Sequence, residues 1–355
     1  MPLRALLRSA PSLAPVPHRA VLAVSGSDAT HFLNGLLANN VNGHPSYSAF
    51  LHAQGRVLHD VFLFTSPSPT YLIDYDPSPS ESPPLLSLLK RFVLRSKVRI
   101  RDVTQEWDVW AAWGEHPPVQ HTSWLWAASG AVEPVWSASP WGTEHGVILD
   151  RRAPGMGRRL LVRKGDTPQE ASTHDVLPPD AYVLHRIMHG VPEGSADIQP
   201  LHAFPIESNL DVMGGLDFRK GCYVGQELTV RTYHTGVIRK RILPVVLSTT
   251  SPSTGPSLHL AIKPSVIPSP NTESDARTPR LRGTSTLLTS IATPSVGPGT
   301  AVGLGLLRLE HLRSNIALFT DQAGVADGAR WKVEPWWPDW WPKQPSSEKT
   351  VDSVD

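Results

Sequence analysis

The chain of 355 residues has one cysteine, Cys222. A single thiol excludes an intramolecular disulfide, and it excludes a zinc or iron–sulfur site built from several cysteines of one chain. Long apolar runs are also missing. No stretch approaches the roughly eighteen residues of a membrane-spanning helix, so no membrane partner is expected. Net charge is small, at +1, which removes the electrostatic case for general nucleic-acid binding. No carboxylate precedes Asp28, and no lysine or arginine lies between Arg101 and Arg151.

What is abundant is proline, at 35 residues, and tryptophan, at 12. The length allows two or three domains with a packed core. Residues 1–19 carry Arg4, Arg8 and Arg19 without an acid, with Leu3, Leu6 and Leu7 on one helical face. That composition predicts a mitochondrial transit peptide over 1–19; a plain proline-bearing tail is the other reading.

From residue 20 the patterning is mixed. Ala20 to Val24 predicts a strand, and Ser27 predicts the cap of a helix carrying Phe32, Leu33, Leu36 and Leu37 to about Asn39-Asn40. Strands follow at Arg56 to Phe64 and Thr70 to Tyr75. Pro83-Pro84 opens a helix through Val93, and Lys97 to Val103 returns to strand. Arg56 to Phe64 alternates, with Val57, His59, Val61 and Leu63 on one face and Leu58, Asp60, Phe62 and Phe64 on the other. Mixed elements with short links predict an α+β fold.

Seven tryptophans fall in the segment 105–160. A stacking surface for single strands needs basic residues beside the indoles, and all seven indoles lie in the span before Arg151 that has none, so core packing is the better reading. Pro178-Pro179-Asp180 opens a helix ending near His189-Gly190. His185 and His189 are spaced for a metal pair, but no third ligand is evident. Gly236 to Val246 starts a small β-barrel. Residues 248–282 are rich in serine, proline and threonine and predict a disordered insertion. Thr284 to Ile291 and Gly303 to Glu310 predict further strands, and residues 336–355 predict a tail.

The stretch Lys220-Gly221-Cys222-Tyr223-Val224-Gly225-Gln226-Glu227 holds the one thiol between two glycines. It predicts a tight turn, with both glycines supplying backbone freedom. Leu228 to Arg231 continues as strand or helix. An ammonium two residues before a thiol, and a helix starting at Gln226, are features of reactive cysteines. A buried structural cysteine is the other reading.

The pattern Lys-Gly-Cys-aromatic-x-Gly-Gln-Glu, with Arg231 four residues on, resembles the signature of the YgfZ-type branch of the folate-dependent aminomethyltransferase superfamily, which includes the glycine cleavage T-protein. Within it the likeness is to mitochondrial iron–sulfur cluster assembly factors. Asn34-Gly35-Leu36, Gln54 to Asp60, Asp150 to Leu160, Arg186 with Gly190, Glu193 and Asp197, and Pro205 to Leu210 resemble further segments of that superfamily. The resemblance implies three sub-domains around a central cavity: an interleaved α+β region over 20–235 and a C-terminal β-barrel over 236–335. It implies a tetrahydrofolate-like ligand contacted by Asp60, Arg186 and Glu207. It also implies a matrix protein acting late in maturation of [4Fe–4S] enzymes, aconitase-like and radical-SAM clients among them, with A-type iron–sulfur carriers as partners. Cys222 is then a contact or shared ligand of a transient [2Fe–2S] or [4Fe–4S] cluster. Two departures stand against the alternative, folate-dependent aminomethyl transfer. His59-Asp60 replaces paired aspartates, and Met188 replaces an acidic residue.

Overall fold

The computed structural model describes residues 6–66, 70–114, 123–136, 139–249, 259–266, 283–293, 296–312, 316–321 and 330–343. The chain's first strand, β1 (Ser12–Pro15), lies inside the stretch assigned to a transit peptide. It pairs on both edges, and Leu13 and Ala14 are fully buried. The folded part therefore begins before residue 19. Proline spacing hid this strand, because Pro11 and Pro15 bracket only three residues.

β2 (Ala20–Ser25), β3 (Ser46–Leu51), β4 (Val57–Thr65), β5 (Thr70–Tyr75) and β6 (Arg99–Asp102) form an antiparallel sheet in the order β3-β4-β5-β2-β6. One face is covered by α1 (Ala29–Asn34) and α2 (Leu85–Val93), through Phe32, Leu33, Leu85 and Leu89. Helix α1 stops at Gly35, short of the predicted Asn39-Asn40. Asn34 turns its side-chain oxygen onto the amide of Val41, at 3.0 Å, and so closes a loop in place of further helix.

The alternation read for β4 changes phase. Leu51 pairs with Val57 but Phe50 pairs with His59, so Leu58 is an extra residue. This β-bulge turns Leu58 onto the helix-covered face, while Val57 joins Phe62 and Phe64 on the other.

That second face packs on a sheet ordered β10-β11-β7-β1-β12, built from β7 (Trp107–Trp113), β10 (Val147–Leu149), β11 (Arg158–Arg163) and β12 (Asp175–Val176). Tyr47, Phe62, Val109, Trp113, Trp141, Ile148 and Met156 share one core. Trp113 and Trp141 are thus packing residues, as expected from the missing basic partners. A separate ribbon joins β8 (Ser123–Trp126) to β9 (Val132–Val135).

Two helices lead to the third sub-domain. Pro179 occupies the first turn of α3 (Pro179–Met188), where a missing amide costs nothing. The signature runs into α4 (Gln226–Thr235). The barrel then closes in the order β13-β16-β15-β14-β17-β18, from β13 (Lys240–Ser248), β14 (Ala261–Val266), β15 (Ser285–Ala292), β16 (Thr300–Arg308), β17 (Ile316–Asp321) and β18 (Arg330–Pro335). β14 falls within the predicted insertion and corrects its extent: it bridges β15 and β17, and without it the barrel would keep two open edges. The rest of that insertion, 250–258 and 267–282, lies outside the described residues. Residues 336–343 are likewise no loose tail. Trp336 and Trp341 pack on the barrel, and the Trp340 indole donates to the His189 carbonyl at 3.1 Å.

Candidate functional site

A polar cavity of about 790 Å3 lies where the three sub-domains meet. Its walls come from His18 and Arg19 before β2, the loop after β5, α3, residues 193–202, and Thr289 and Ser290 of the barrel. Behind it is a buried ion network. Glu193 accepts from Arg152 at 2.7 Å, from Arg159 at 3.0 Å and from the Tyr182 hydroxyl at 2.6 Å. Arg152 also donates to Asp150 at 2.7 Å, and Asp74 receives both Arg159 and Arg19. Arg186 pairs with Asp197, whose other oxygen accepts from the Thr289 amide of the barrel at 3.0 Å.

All of these side chains are nearly or wholly buried. Burial alone would raise the Glu193 carboxyl, but Arg159, Arg152, Arg19 and Arg186 together hold it well below the usual range. The network ties the first sheet, the second sheet, α3 and the barrel into one unit. Sequence patterning did not reveal it. Asp150 to Leu160 reads as a turn in the sequence, and the partners of Arg159 lie 34 and 85 residues away.

Asp60 sits beside this network and not at a wetted strand end: it is 3% exposed. Its Oδ1 accepts from the Gly194 amide at 3.1 Å, while Oδ2 has no partner, and desolvation raises its pKa. The Tyr47 hydroxyl, also buried, likewise lacks a partner. Arg186 lines the large cavity with its guanidinium engaged. Glu207 lines a separate groove of about 160 Å3 with Phe204, Ile206, Leu228, Thr229 and Val237. Its carboxyl is raised by desolvation, against the pull of Lys240, Arg56, Arg308 and Arg241, whereas the charges that act on Asp60 are Arg19, Glu193 and Asp76. The three residues predicted to share one ligand are therefore not gathered in one cavity.

His185 and His189 do meet, with ring centroids 4.4 Å apart. His185 stacks on Trp113, and burial lowers the pKa of both histidines. Among the described residues, no set of three metal-binding side chains converges.

The signature folds as a scaffold around an exposed Cys222. Lys220 donates to the carbonyls of Asn34 and Leu37, each at 2.7 Å, and of Asn39 at 3.0 Å. Its ammonium thus closes the loop after α1 and does not serve the thiol; desolvation lowers its pKa to about 8. Tyr223 is buried with Lys220 over its ring at 4.9 Å, and its amide donates to the Gln226 side chain at 3.2 Å. Glu227 and Arg231 point outward on α4.

The two glycines differ. Gly225 has φ +82 and a Cβ there would lie 2.3 Å from the His52 carbonyl oxygen, so only glycine fits. Gly221 has neither constraint, because a Cβ would meet nothing within 4 Å. This corrects the expectation that both supply special backbone angles. Gly225→Ala is expected to cost at least about 1–2 kcal/mol from the left-handed backbone alone, with the clash in addition. Gly221→Ala should stay within about 0.5 kcal/mol of the parent. Urea unfolding of both variants checks this; equal midpoints would contradict it.

Comparisons with known proteins agree on one neighbourhood. Residues 298–343 match the family described as CAF17, C-terminal beta-barrel domain. Over 252 residues the chain is 49% identical to the "Iron-sulfur cluster assembly factor IBA57 homolog, mitochondrial" of Cryptococcus neoformans var. neoformans serotype D, covering 67% of each. The protein of the same name from Mycosarcoma maydis is 35% identical and is matched over 95% of this chain and 87% of its own length. The crystal structure of glycine cleavage system aminomethyltransferase T from Bartonella henselae superposes with a TM-score of 0.60, over 94% of this chain and 87% of that one. At 13% identity that likeness speaks for the fold alone.

Proposed function

The chain belongs to the family of the mitochondrial iron–sulfur cluster assembly factor IBA57, and we propose from that premise that it acts in the mitochondrial matrix, late in maturation of [4Fe–4S] proteins, by presenting Cys222 as a ligand to a cluster it shares with an A-type carrier. The observation that carries this reading is an exposed thiol on a rigid, over-determined loop. Lys220, Tyr223 and Gly225 hold the loop from beneath, and among the described residues Cys222 is a free, exposed thiol. Thiolate is a soft ligand suited to iron. With one cysteine per chain, the remaining cluster ligands come from the partner. The cluster is cargo on this reading. Cells depleted of the protein should lose [4Fe–4S] enzyme activity, aconitase for example, and keep [2Fe–2S] enzyme activity; loss of both would place the protein earlier in assembly.

A tetrahydrofolate-like ligand belongs to this reading only in part. Asp60 Oδ2 and the Tyr47 hydroxyl are buried and unpartnered, and they suit the N–H groups of an aminopterin edge. Arg186 and Glu207 do not join them. When bound, such a ligand would supply one-carbon chemistry, and His59 stands where the superfamily's enzymes carry one of two adjacent aspartates. Calorimetry with tetrahydrofolate is expected to give binding that Asp60→Asn weakens roughly tenfold or more, as for a lost hydrogen bond to a charged group. Equal affinity for both proteins, or none, would remove the ligand from this site.

A further inference from the structure

Between Glu81 and Asp102 the chain has no carboxylate but six cations: Lys90, Arg91, Arg95, Lys97, Arg99 and Arg101. They surround the end of α2 and the turn into β6. The first five are exposed, and Lys90, Arg91, Arg95 and Arg99 take part in no salt bridge among the described residues. Arg101 reaches Glu106 at 3.6 Å, and Asp28, beside Phe92, Leu94 and Arg95 on this surface, accepts from the Lys97 amide at 2.7 Å. Lys90 and Arg91 suit the last turn of a helix, whose end carries partial negative charge. That reason does not extend to Arg95, Lys97 and Arg99, which follow the helix.

Two large apolar side chains stand among these charges. Phe92 is 38% exposed and Leu94 is 87% exposed. Leu94 also has φ +43 with ψ −105, a positive-φ conformation that glycine would occupy with less strain. The fold thus holds a leucine in an unfavourable conformation where it packs on almost nothing. Burial of the opposite face of α2, through Leu85, Leu88 and Leu89, fixes this tip outward.

We propose that the α2–β6 turn is a peripheral docking face for an anionic lipid bilayer, with Leu94 and Phe92 entering the interface and the ring of cations meeting lipid headgroups. A bilayer accepts an isolated apolar tip without a shaped pocket, and anionic headgroups complement six cations that outnumber the carboxylates meeting them, Asp28 and Glu106. An acidic protein would use the charges but would leave Leu94 without a purpose. Among the described residues no helix is long and apolar enough to cross a membrane; a surface contact needs none. The face is independent of Cys222, so its test stands apart from the assembly reading.

The full chain is sedimented with vesicles of phosphatidylcholine alone, and of phosphatidylcholine mixed with cardiolipin. Binding is expected to the anionic vesicles only, and to weaken as salt is raised. A triple variant, Lys90→Glu with Arg91→Glu and Arg95→Glu, should lose roughly a hundredfold in affinity, at about fivefold for each charge removed. Leu94→Asn should weaken binding severalfold while its stability stays within about 0.5 kcal/mol of the parent's, as for an exposed side chain. Absence of binding to anionic vesicles overturns the proposal. So does soluble polyglutamate binding as tightly as the vesicles with Leu94→Asn unaffected, which would give the face to an acidic protein.

Discussion

Glu193→Gln is expected to lower the stability of the fold by about 3–5 kcal/mol, the cost of removing one partner from a buried ion pair. The side chain volume is kept, so the loss is electrostatic. Arg152 and Arg159 would each remain buried while losing their shared carboxylate, and Tyr182 would lose its charged acceptor. The same residue governs acid lability. Its folded pKa is depressed below the ordinary 4.5. Its contribution is therefore complete above about that pH and is lost as pH falls towards the depressed value. Asp60 works in the opposite sense, because its raised pKa means that protonation relieves a buried charge. Four arginines act on Glu193, so its sign should dominate. Thermal unfolding followed by circular dichroism from neutral to acid pH should give a steep decline for the parent and a flatter profile for Glu193→Gln. Parallel profiles would show that the network contributes nothing specific.

Cys222→Ala is expected to do the reverse: leave stability within about 0.5 kcal/mol of the parent, as for an exposed side chain with no structural contacts, and abolish function. Cells carrying only this variant should show the aconitase loss of cells lacking the protein. The contrast with Gly225→Ala is informative, since that substitution damages the loop beneath an intact thiol. Normal [4Fe–4S] enzyme activity with Cys222→Ala would reduce the signature to a structural turn.

Local pattern carried much of this fold into the sequence. Thr70 to Tyr75 stands between proline-bearing stretches and is a strand over those residues. Pro83-Pro84 fixes a helix start because a proline cannot continue a preceding ladder, and α2 begins at Leu85. The signature was legible because its chemistry is contiguous: thiol, glycines and capping residue lie within eight positions. What was hidden is long-range. Asp74 looks like any strand residue until Arg19 and Arg159 close on it from different elements. Asp60 follows a one-residue bulge that the alternation does not announce. β14 contains Lys263, Pro264 and Ser265 and resembles its linker; the closing barrel, rather than β propensity, makes it a strand. Lys220 was read with its sequence neighbour Cys222, yet its partners are carbonyls more than 180 residues earlier.

The most direct test of Cys222 as a shared ligand is anaerobic mixing of the purified chain with an A-type carrier, iron and sulfide, for the parent and for Cys222→Ser. Size-exclusion chromatography with absorbance detection reads both assembly and cluster content. The expected result is a cluster-bearing heterocomplex with the parent and none with Cys222→Ser. A complex of equal cluster content from both proteins, or from neither, would contradict the role assigned to this thiol.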